Sequence, residues 1–177
     1  VGMRELLAAS GPLAVGRLVP VPGSTDDTLP DVTAVAHDSR RVEPGVLFAC
    51  IPGEASDGHD HAADAVSAGA VALLVERELP LPVPQVVVPS VRCVLGPVSS
   101  AVAGDPSADM TVVGVTGTNG KTTTTLLLES VFTEAGFRAG VVGTLGSRIA
   151  GTEHPGARTT PEAPDLQRTL AMMRASG

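Results

Sequence analysis

Apolar positions in the first hundred residues fall into short runs separated by polar, Gly and Pro residues. Runs rich in Val, Leu and Ala predict buried strands, because such residues suit a sheet that is covered on both faces. Apolar positions spaced three and four residues apart predict helices instead. The pattern predicts strands at 32–36, 46–51, 71–75 and 85–88, and helices at 3–9, 62–70 and 91–102.

A cluster of turn-forming residues separates this part of the chain from the next apolar run, and its sequence is Gly104-Asp105-Pro106-Ser107. Such a cluster between two apolar segments is typical of a domain boundary. We therefore expect a small mixed α/β domain over residues 1–107 and the first part of a second α/β domain over residues 108–177.

The second part begins with a Val-rich run at 111–116, which predicts a buried parallel strand. Helical spacing then predicts a helix from Thr122 to about residue 135, with Gly136 as its C-cap. Residues 138–144 predict a second parallel strand. Strand, helix and strand make one βαβ unit. Two strands cannot form a stable parallel sheet, so we expect this domain to be truncated.

Between the first strand and the helix lies a glycine-rich turn with the sequence Gly117-Thr118-Asn119-Gly120-Lys121-Thr122-Thr123. Gly117 and Gly120 allow a tight turn and close approach to a ligand. The turn delivers free N–H groups of a helix N-terminus to one point, which favours phosphate. Lys121 can reach β- and γ-phosphates, and the Thr122 hydroxyl can bind Mg²⁺. The common nucleotide-loop pattern requires a glycine where Val115 stands, so this loop departs from it.

Composition narrows the function classes. The net charge of −7 argues against a nucleic-acid-binding protein, since no basic stripe is available. No apolar run is long enough to span a membrane, and the N-terminus lacks the pattern of a signal peptide. Cys50 and Cys93 are expected to be free core thiols in a reducing cytoplasm rather than a disulfide. The single Lys and the single Asn of the chain, Lys121 and Asn119, both lie in the glycine-rich turn.

Two polar clusters in the first part allow alternative interpretations. The sequence His37-Asp38-Ser39-Arg40 follows a predicted strand, and it suits either a phosphorylated ligand or a solvated turn. The sequence Asp57-Gly58-His59-Asp60-His61 places two histidines beside carboxylates. A metal site is one interpretation, but no periodicity directs these side chains to one point. A turn that caps the next helix is the simpler interpretation.

The end of the chain predicts an exposed β-excursion at 147–155 and then a last helix. Thr160 can serve as the N-cap of that helix, with Pro161 at its first position. Because Thr159 and Thr160 follow the second predicted parallel strand, we expect them near the carboxyl edge of the sheet, where α/β proteins bind ligands.

Taken together, these stretches resemble the Mur ligase family of peptidoglycan synthesis over the whole chain. The resemblance rests on His-Asp-Ser-Arg at 37–40, Val-Glu-Pro-Gly-Val-Leu-Phe at 42–48, Gly-Glu-Ala-Ser-Asp-Gly-His at 53–59, Gly-Thr-Asn-Gly-Lys-Thr-Thr at 117–123 and Arg-Thr-Thr-Pro at 158–161. It is strongest to members that add the third peptide residue, meso-diaminopimelate or L-lysine, to UDP-N-acetylmuramoyl-L-alanyl-D-glutamate. Members that add D-Ala-D-Ala are the alternative.

The resemblance implies a UDP-sugar-binding N-terminal domain and a P-loop, parallel-sheet, ATP-binding domain. It assigns the UDP part of the substrate to His37, Ser39, Glu54, Ala55 and Ser56. It assigns ATP to residues 117–123, a catalytic role to Lys121 and Mg²⁺ to Thr122. It assigns the muramoyl-peptide to Arg158, Thr159 and Thr160; Arg158 stands where the family often has Asn.

The implied reaction is ATP-driven amide-bond formation through an acyl phosphate in the cytoplasm, by a monomer that acts on a UDP-muramoyl-dipeptide and an amino acid. In the family, further magnesium ligands, a carbamylated lysine and the amino-acid-selecting domain follow these motifs. Lys121 is the single lysine, so the carbamylated one lies outside this sequence. We therefore expect the 177-residue chain alone to be inactive.

Two other classes remain as alternatives. A GTPase or phosphate-loop kinase is disfavoured, because a guanine-reading Asn-Lys-x-Asp motif cannot be built when the single Asn and Lys are both in the glycine-rich turn. A non-catalytic nucleotide-sugar-binding module would follow if 177 residues were the natural length.

Overall fold

The computed structural model describes residues 1–9, 16–21, 29–53, 56–155 and 160–177. The chain divides into two compact units, Val1–Gly104 and Asp105–Gly177. Each unit combines helices with strands, which confirms the predicted mixed α/β class. None of the helices in these described ranges has the length and apolar character needed to cross a bilayer.

The described residues of the first unit form three helices, five strands and two 3₁₀ turns. The helices are α1 (Met3–Ala9), α2 (Ala62–Ser67) and α3 (Val91–Val102). The strands are β1 (Arg17–Val19), β2 (Ala34–Ala36), β3 (Val46–Ala49), β4 (Ala72–Val75) and β5 (Gln85–Val87). The 3₁₀ turns are Ser39–Arg41 and Gly58–His61.

The strands of the first unit form one sheet in the order β1-β5-β4-β3-β2. Strands β2 to β5 are parallel, with Phe48 in register between Ala36 and Leu73, whereas β1 runs antiparallel to β5. Every residue of the central strands β3 and β4 is buried, as expected for a sheet covered on both faces. The four predicted strands and three predicted helices are confirmed, and β1 is an additional edge strand.

Helix α2 covers one face of this sheet. Ala62 and Ala65 pack with Phe48, Leu73 and Val75 in one buried cluster. The small alanines bring the helix close to the strands, so the loop between β3 and α2 is held over the carboxyl end of the sheet.

The predicted thiol state is confirmed, because both cysteines are free. The prediction that both lie in the core is wrong for Cys93, which is exposed on α3. The helix buries Val91, Val94 and Val98, and a residue at position 93 lies outside that stripe.

Within its described ranges, 105–155 and 160–177, the second unit forms two helices, three strands and a short 3₁₀ turn. The helices are α4 (Lys121–Glu134) and α5 (Ala163–Ala175), and the 3₁₀ turn is Pro106–Asp109. The strands are β6 (Val141–Gly143), β7 (Gly146–Ile149) and β8 (Thr152–His154), which form an antiparallel sheet in the order β6-β7-β8. The β7–β8 hairpin confirms the predicted excursion at 147–155.

The predicted parallel strand at 111–116 is wrong. Residues 111–116 have no regular secondary structure, and Val112 and Val113 are 60% and 54% exposed. The predicted second strand at 138–144 forms only as β6, which pairs antiparallel with β7. A parallel strand is stable only between hydrogen-bonded neighbours, and the described part of the second unit offers none to residues 111–116.

The predicted start of the last helix is also wrong. Helix α5 begins at Ala163 with Glu162 as N-cap, so Thr160 does not cap it. If the helix began at Pro161, Pro164 would have to donate the first intrahelical hydrogen bond, which proline cannot do. Beginning at Ala163 instead places Pro164 in the first turn, where its missing N–H costs nothing.

The predicted cap of α4 is confirmed. Gly136 adopts a φ of 87°, in the left-handed region. Its N–H bonds the Thr133 carbonyl at 3.0 Å, and the Phe137 N–H bonds the Phe132 carbonyl at 2.9 Å. The two rings of Phe132 and Phe137 meet edge to face, 6.2 Å apart. This is a Schellman motif with its hydrophobic contact.

Candidate functional site

The glycine-rich turn of the second unit ends at the N-terminus of α4. Gly120 is the N-cap and adopts a φ of 80°. No atom lies within 4 Å of the position that a Cβ would occupy there, so the turn is open on this side. The first helical hydrogen bond runs from the Thr124 N–H to the Gly120 carbonyl at 2.9 Å. The helix therefore leaves the N–H groups that precede Thr124 for a ligand.

Lys121 folds back over the turn. Its Nζ donates to the Gly117 carbonyl at 2.6 Å and lies 3.5 Å from the Thr118 carbonyl. The ammonium group is thus held against the carbonyls of the glycine-rich turn that precedes α4. A cation, a helix N-terminus and a glycine with open space fit a phosphate group.

Lys121 and Thr122 line a cleft of about 240 Å³ within the second unit. Its walls are formed by residues of α4, of the β6–β7 turn and of the segment that leads into α5. Thr160 lies in this last segment and lines the cleft. The remaining lining residues are Val115, Thr125, Leu126, residues 141–146, Pro161 and Leu166. The structure therefore places three of the predicted site residues around one cleft, although the parallel strands expected to bring them together do not form.

The hydroxyl groups of Thr122 and Thr125 in α4 differ in their hydrogen bonds. Thr125 Oγ1 donates within the helix, to the carbonyls of Lys121 at 3.1 Å and Thr122 at 2.9 Å. The Thr122 hydroxyl has no such bond among the described residues and stays available to a hard cation, which prefers oxygen ligands. The described residues contain no cluster of three or more His, Cys, Asp or Glu side chains suited to a metal.

In the first unit, the predicted residues lie where the parallel strands end. His37 and Ser39 follow β2 and are half-buried. Asp38 caps the 3₁₀ turn and accepts hydrogen bonds from the Arg40 side chain at 2.9 and 2.7 Å. These bonds from the Arg40 guanidinium lower the pKa of Asp38 to about 2. Asp38 and Arg40 thus satisfy each other within the 3₁₀ turn.

The loop after β3 lies at the same edge. Ser56 Oγ is 2.8 Å from Nε2 of His61. Asp57 caps the 3₁₀ turn through the His59 N–H at 3.0 Å, so this stretch is a turn, as predicted. The prediction that it caps the next helix is wrong, because the N-cap of α2 is His61, which makes no side-chain capping hydrogen bond. Because carboxyl ends of parallel strands are where α/β sheets bind ligands, this edge is the candidate site of the first unit.

Four predicted site residues fall outside the described ranges: Glu54, Ala55, Arg158 and Thr159. The structure adds residues that the sequence analysis did not single out. Thr144 and Leu145, in the β6–β7 turn, line the cleft of the second unit. Their sequence signal is weak, because a two-residue turn between short strands carries no chemical motif. His59 is buried and hydrogen-bonded, a role that neither the metal-site interpretation nor the capping-turn interpretation assigns to it.

Comparison with known families matches most of the chain. A model described as "Mur ligase family, catalytic domain" matches residues 31–109, and one described as "Mur ligase middle domain" matches residues 115–177. Together they include the loop after β3, the glycine-rich turn and Thr160.

Individual relatives carry names that agree with these family matches. A UDP-N-acetylmuramoyl-L-alanyl-D-glutamate–2,6-diaminopimelate ligase of Geobacillus thermodenitrificans is 47% identical over 148 residues, 84% of this chain and 30% of that relative. A UDP-N-acetylmuramyl-tripeptide synthetase of Deinococcus radiodurans is 40% identical over 171 residues, 93% of this chain and 35% of that relative. The chain thus spans about a third of the length of the curated relatives it matches.

A solved structure shows the same fold. The structure of a UDP-N-acetylmuramoyl-L-alanyl-D-glutamate–2,6-diaminopimelate ligase superposes with a TM-score of 0.71 at 24% identity. The match covers 100% of this chain and 34% of that structure. At this identity the likeness supports the fold alone.

Proposed function

This chain belongs to the Mur ligase family, and from that premise we propose that its full-length protein adds the third peptide residue to UDP-N-acetylmuramoyl-L-alanyl-D-glutamate at the expense of ATP. The observation that carries the proposal is the placement of Lys121, Thr122 and Thr160 around one cleft. The chain is 47% identical to a relative named as a UDP-N-acetylmuramoyl-L-alanyl-D-glutamate–2,6-diaminopimelate ligase, which supports addition at the third position of the peptide.

The first unit would hold the UDP end of the substrate at the carboxyl edge of its sheet. His37 and Ser39 offer an imidazole and a hydroxyl after β2, and Ser56 offers a hydroxyl after β3. Glu54 and Ala55, beside Ser56, belong to the same proposed contact. The half-buried position of His37 and Ser39 supports this assignment, because a fixed donor binds a phosphate or uracil oxygen with less loss of freedom than an exposed one.

The second unit would bind ATP through residues 117–123. Lys121 would exchange the Gly117 carbonyl for phosphate oxygens, and the N–H groups of the first turn of α4 would bind the same phosphates. Mg²⁺, held in part by the Thr122 hydroxyl, would supply charge neutralisation for the transferred phosphoryl group. Arg158, Thr159 and Thr160 would position the muramoyl-peptide.

A carboxylate is a poor electrophile for an amine, so it must first acquire a leaving group. In the proposed reaction an oxygen of the D-Glu γ-carboxylate attacks the γ-phosphorus and ADP leaves. The amine of the incoming amino acid then attacks the acyl phosphate, and inorganic phosphate leaves with formation of the amide. The residues around the cleft position the reactants and neutralise charge, and none of them needs to form a covalent intermediate.

The named relatives favour 2,6-diaminopimelate over L-lysine as the amino acid. We further propose a cytoplasmic monomer that acts without a membrane or a nucleic acid, in keeping with the negative net charge.

Product formation by the full-length protein tests the proposal. The protein is incubated with ATP and Mg²⁺, and products are identified by mass. In separate reactions UDP-N-acetylmuramoyl-L-alanyl-D-glutamate is combined with meso-diaminopimelate or L-lysine, and the corresponding tripeptide precursor is combined with D-Ala-D-Ala. One condensation product with meso-diaminopimelate, together with one ADP, is expected. A product formed only from the tripeptide precursor and D-Ala-D-Ala would assign the protein to the alternative type of ligase.

A further inference from the structure

His59 is a buried ionisable residue at the carboxyl edge of the first unit, and the proposed function gives it no role. Its side chain is 0% exposed. A buried polar side chain requires partners for both ring nitrogens, and the structure supplies them. Nε2 accepts the Glu76 N–H at 2.9 Å, and Nδ1 lies 2.6 Å from Asp57 Oδ1. Since Nε2 accepts, the ring proton is on Nδ1 and is donated to Asp57.

These bonds join two strand ends that are distant in sequence. His59 belongs to the loop after β3, whereas Glu76 is the first residue after β4. A second connection runs in parallel, from Nη1 of Arg77 to Oδ2 of Asp57 at 2.9 Å. The Glu76 side chain extends the network, because its Oε1 accepts the Val91 N–H at 2.8 Å at the start of α3.

Asp57 is held as an anion at the centre of this network. Hydrogen bonds from the His59 backbone and ring lower the pKa of its carboxyl group, and Arg77 acts in the same direction. Asp57 is adjacent to Ser56, whose carbonyl accepts the Gly53 N–H at 3.1 Å. The loop that carries Ser56 is therefore closed on itself and fastened to β4 through His59 and Arg77.

We infer that His59 is a positioning residue for the nucleotide-sugar site, fastening the loop after β3 to the end of β4 so that Ser56 meets the substrate. The inference rests on the proposed function, because it assigns the UDP end of the substrate to this edge. It differs from that proposal in that His59 itself contacts no substrate.

Two amide substitutions each keep one of the two ring hydrogen bonds of His59 and remove the other. His59→Gln keeps an acceptor near the position of Nε2 and retains the bond to Glu76. His59→Asn keeps a donor near the position of Nδ1 but leaves the Glu76 N–H without its acceptor. We expect His59→Asn to raise the KM for the UDP-muramoyl-dipeptide about tenfold, the effect of about one lost hydrogen bond. We expect His59→Gln to raise it less than threefold.

The KM for ATP and the kcat are expected to stay within twofold in both variants, measured in the full-length protein well below its unfolding temperature. A merely structural role would lower the unfolding temperature without this separation of the two KM values. Arg77→Gln removes the parallel, exposed connection and is expected to raise the KM for the dipeptide about threefold. Arg17→Gln is the matched control, because Arg17 forms an exposed ion pair with Glu78 at 3.1 Å and does not touch the loop.

The outcomes distinguish the inference from its premise. If the unsubstituted protein shows no saturable use of the dipeptide, the proposed function fails, and the inference fails with it. If that protein is active but His59→Asn and His59→Gln behave alike, or both KM values rise together, the inference alone is overturned. If His59→Asn does not fold, Arg77→Gln decides, and an unchanged KM for the dipeptide in that variant would overturn the inference.

Discussion

Replacing Gly58 by alanine tests how closely the loop after β3 packs on the strand that precedes it. A Cβ at position 58 would lie 2.6 Å from the backbone nitrogen of Ile51 and 2.8 Å from its carbonyl oxygen. It would also lie 2.9 Å from the carbonyl carbon of Cys50. All three are backbone atoms, so no side chain can rotate away and the loop itself must move.

The cost follows from two contributions. Overpacking in a closely packed site costs about 1–3 kcal/mol. The movement also strains the hydrogen bond from the Gly58 N–H to the Ile51 carbonyl, now 2.9 Å long, which contributes about 1 kcal/mol. The sum, about 3 kcal/mol, corresponds to roughly a hundredfold increase in the opening equilibrium, because about 1.4 kcal/mol is a factor of ten.

The thiol of Cys50 provides the assay. It is fully buried, and burial raises its pKa to about 12, so it reacts with a thiol reagent only when this part of the structure opens. Labelling of the peptide that contains Cys50 is followed by mass spectrometry in the full-length protein, so the exposed Cys93 does not interfere. Gly58→Ala is expected to label about a hundred times faster than the unsubstituted protein.

Gly96→Ala is the matched control. Gly96 lies inside α3, and no atom is within 4 Å of its Cβ position. Alanine there stabilises the helix by about 0.5–1 kcal/mol, so labelling of Cys50 should slow about two- to fivefold. Labelling of Gly58→Ala within twofold of the unsubstituted rate would refute the packing argument.

Three further predictions concern the glycine-rich turn, acid stability and the end of α4. Gly120→Ala forces a side chain into the left-handed region at a cost of about 1–2 kcal/mol, so the KM for ATP should rise about tenfold while the KM for the dipeptide is unchanged. Because Arg40 lowers the pKa of Asp38 from 3.8 to about 2, this carboxylate stabilises the fold fully above pH 3.8 and loses that contribution as the pH falls toward 2. Asp38→Asn should therefore flatten the unfolding free energy across this range, and an unchanged slope would contradict the ion pair. Phe137→Ala removes the edge-to-face contact with Phe132, worth about 0.5–1.5 kcal/mol, and should speed hydrogen exchange of the amide at position 137 about two- to tenfold.

The strands and helices of the first unit could be predicted well from the sequence, because its short apolar runs coincide with the elements of the structure. Each of the four parallel strands is a short apolar run followed by polar or turn residues. The central strands β3 and β4 are buried throughout, as the pattern predicts, whereas β2 lies at the edge of the sheet with Ala34 exposed. Strand β1 escaped prediction because it is three residues long and lies at an edge, where Arg17 and Val19 need no uniform pattern.

The second unit shows what apolar pattern alone does not determine. Val112 and Val113 have strong strand preference, but a strand forms only with hydrogen-bonding partners, and position along the chain does not supply them. The start of α5 was missed for a local reason, because two prolines compete for the first turn and only Pro164 satisfies both the helix and its own missing N–H.

The candidate sites also differ in how much of them the sequence predicts. Gly120, Lys121 and Thr122 carry a motif whose chemistry depends on adjacent residues, so the sequence predicts their role directly. The role of His59 depends on Glu76, which becomes its neighbour only when β3 and β4 pair. Its position was therefore visible only in the folded structure.

The measurement that tests the account most directly is a pair of calorimetric titrations of the full-length protein with UDP-N-acetylmuramoyl-L-alanyl-D-glutamate and with ATP–Mg²⁺, repeated for Ser39→Ala and Lys121→Met. Because the account assigns the UDP end of the substrate to the first unit and ATP to the second, Ser39→Ala should weaken binding of the dipeptide alone, about tenfold for one lost hydrogen bond. Lys121→Met should weaken binding of ATP alone. Loss of both affinities in either variant, or of neither in both, would contradict the assignment of the two ligands to these two sites.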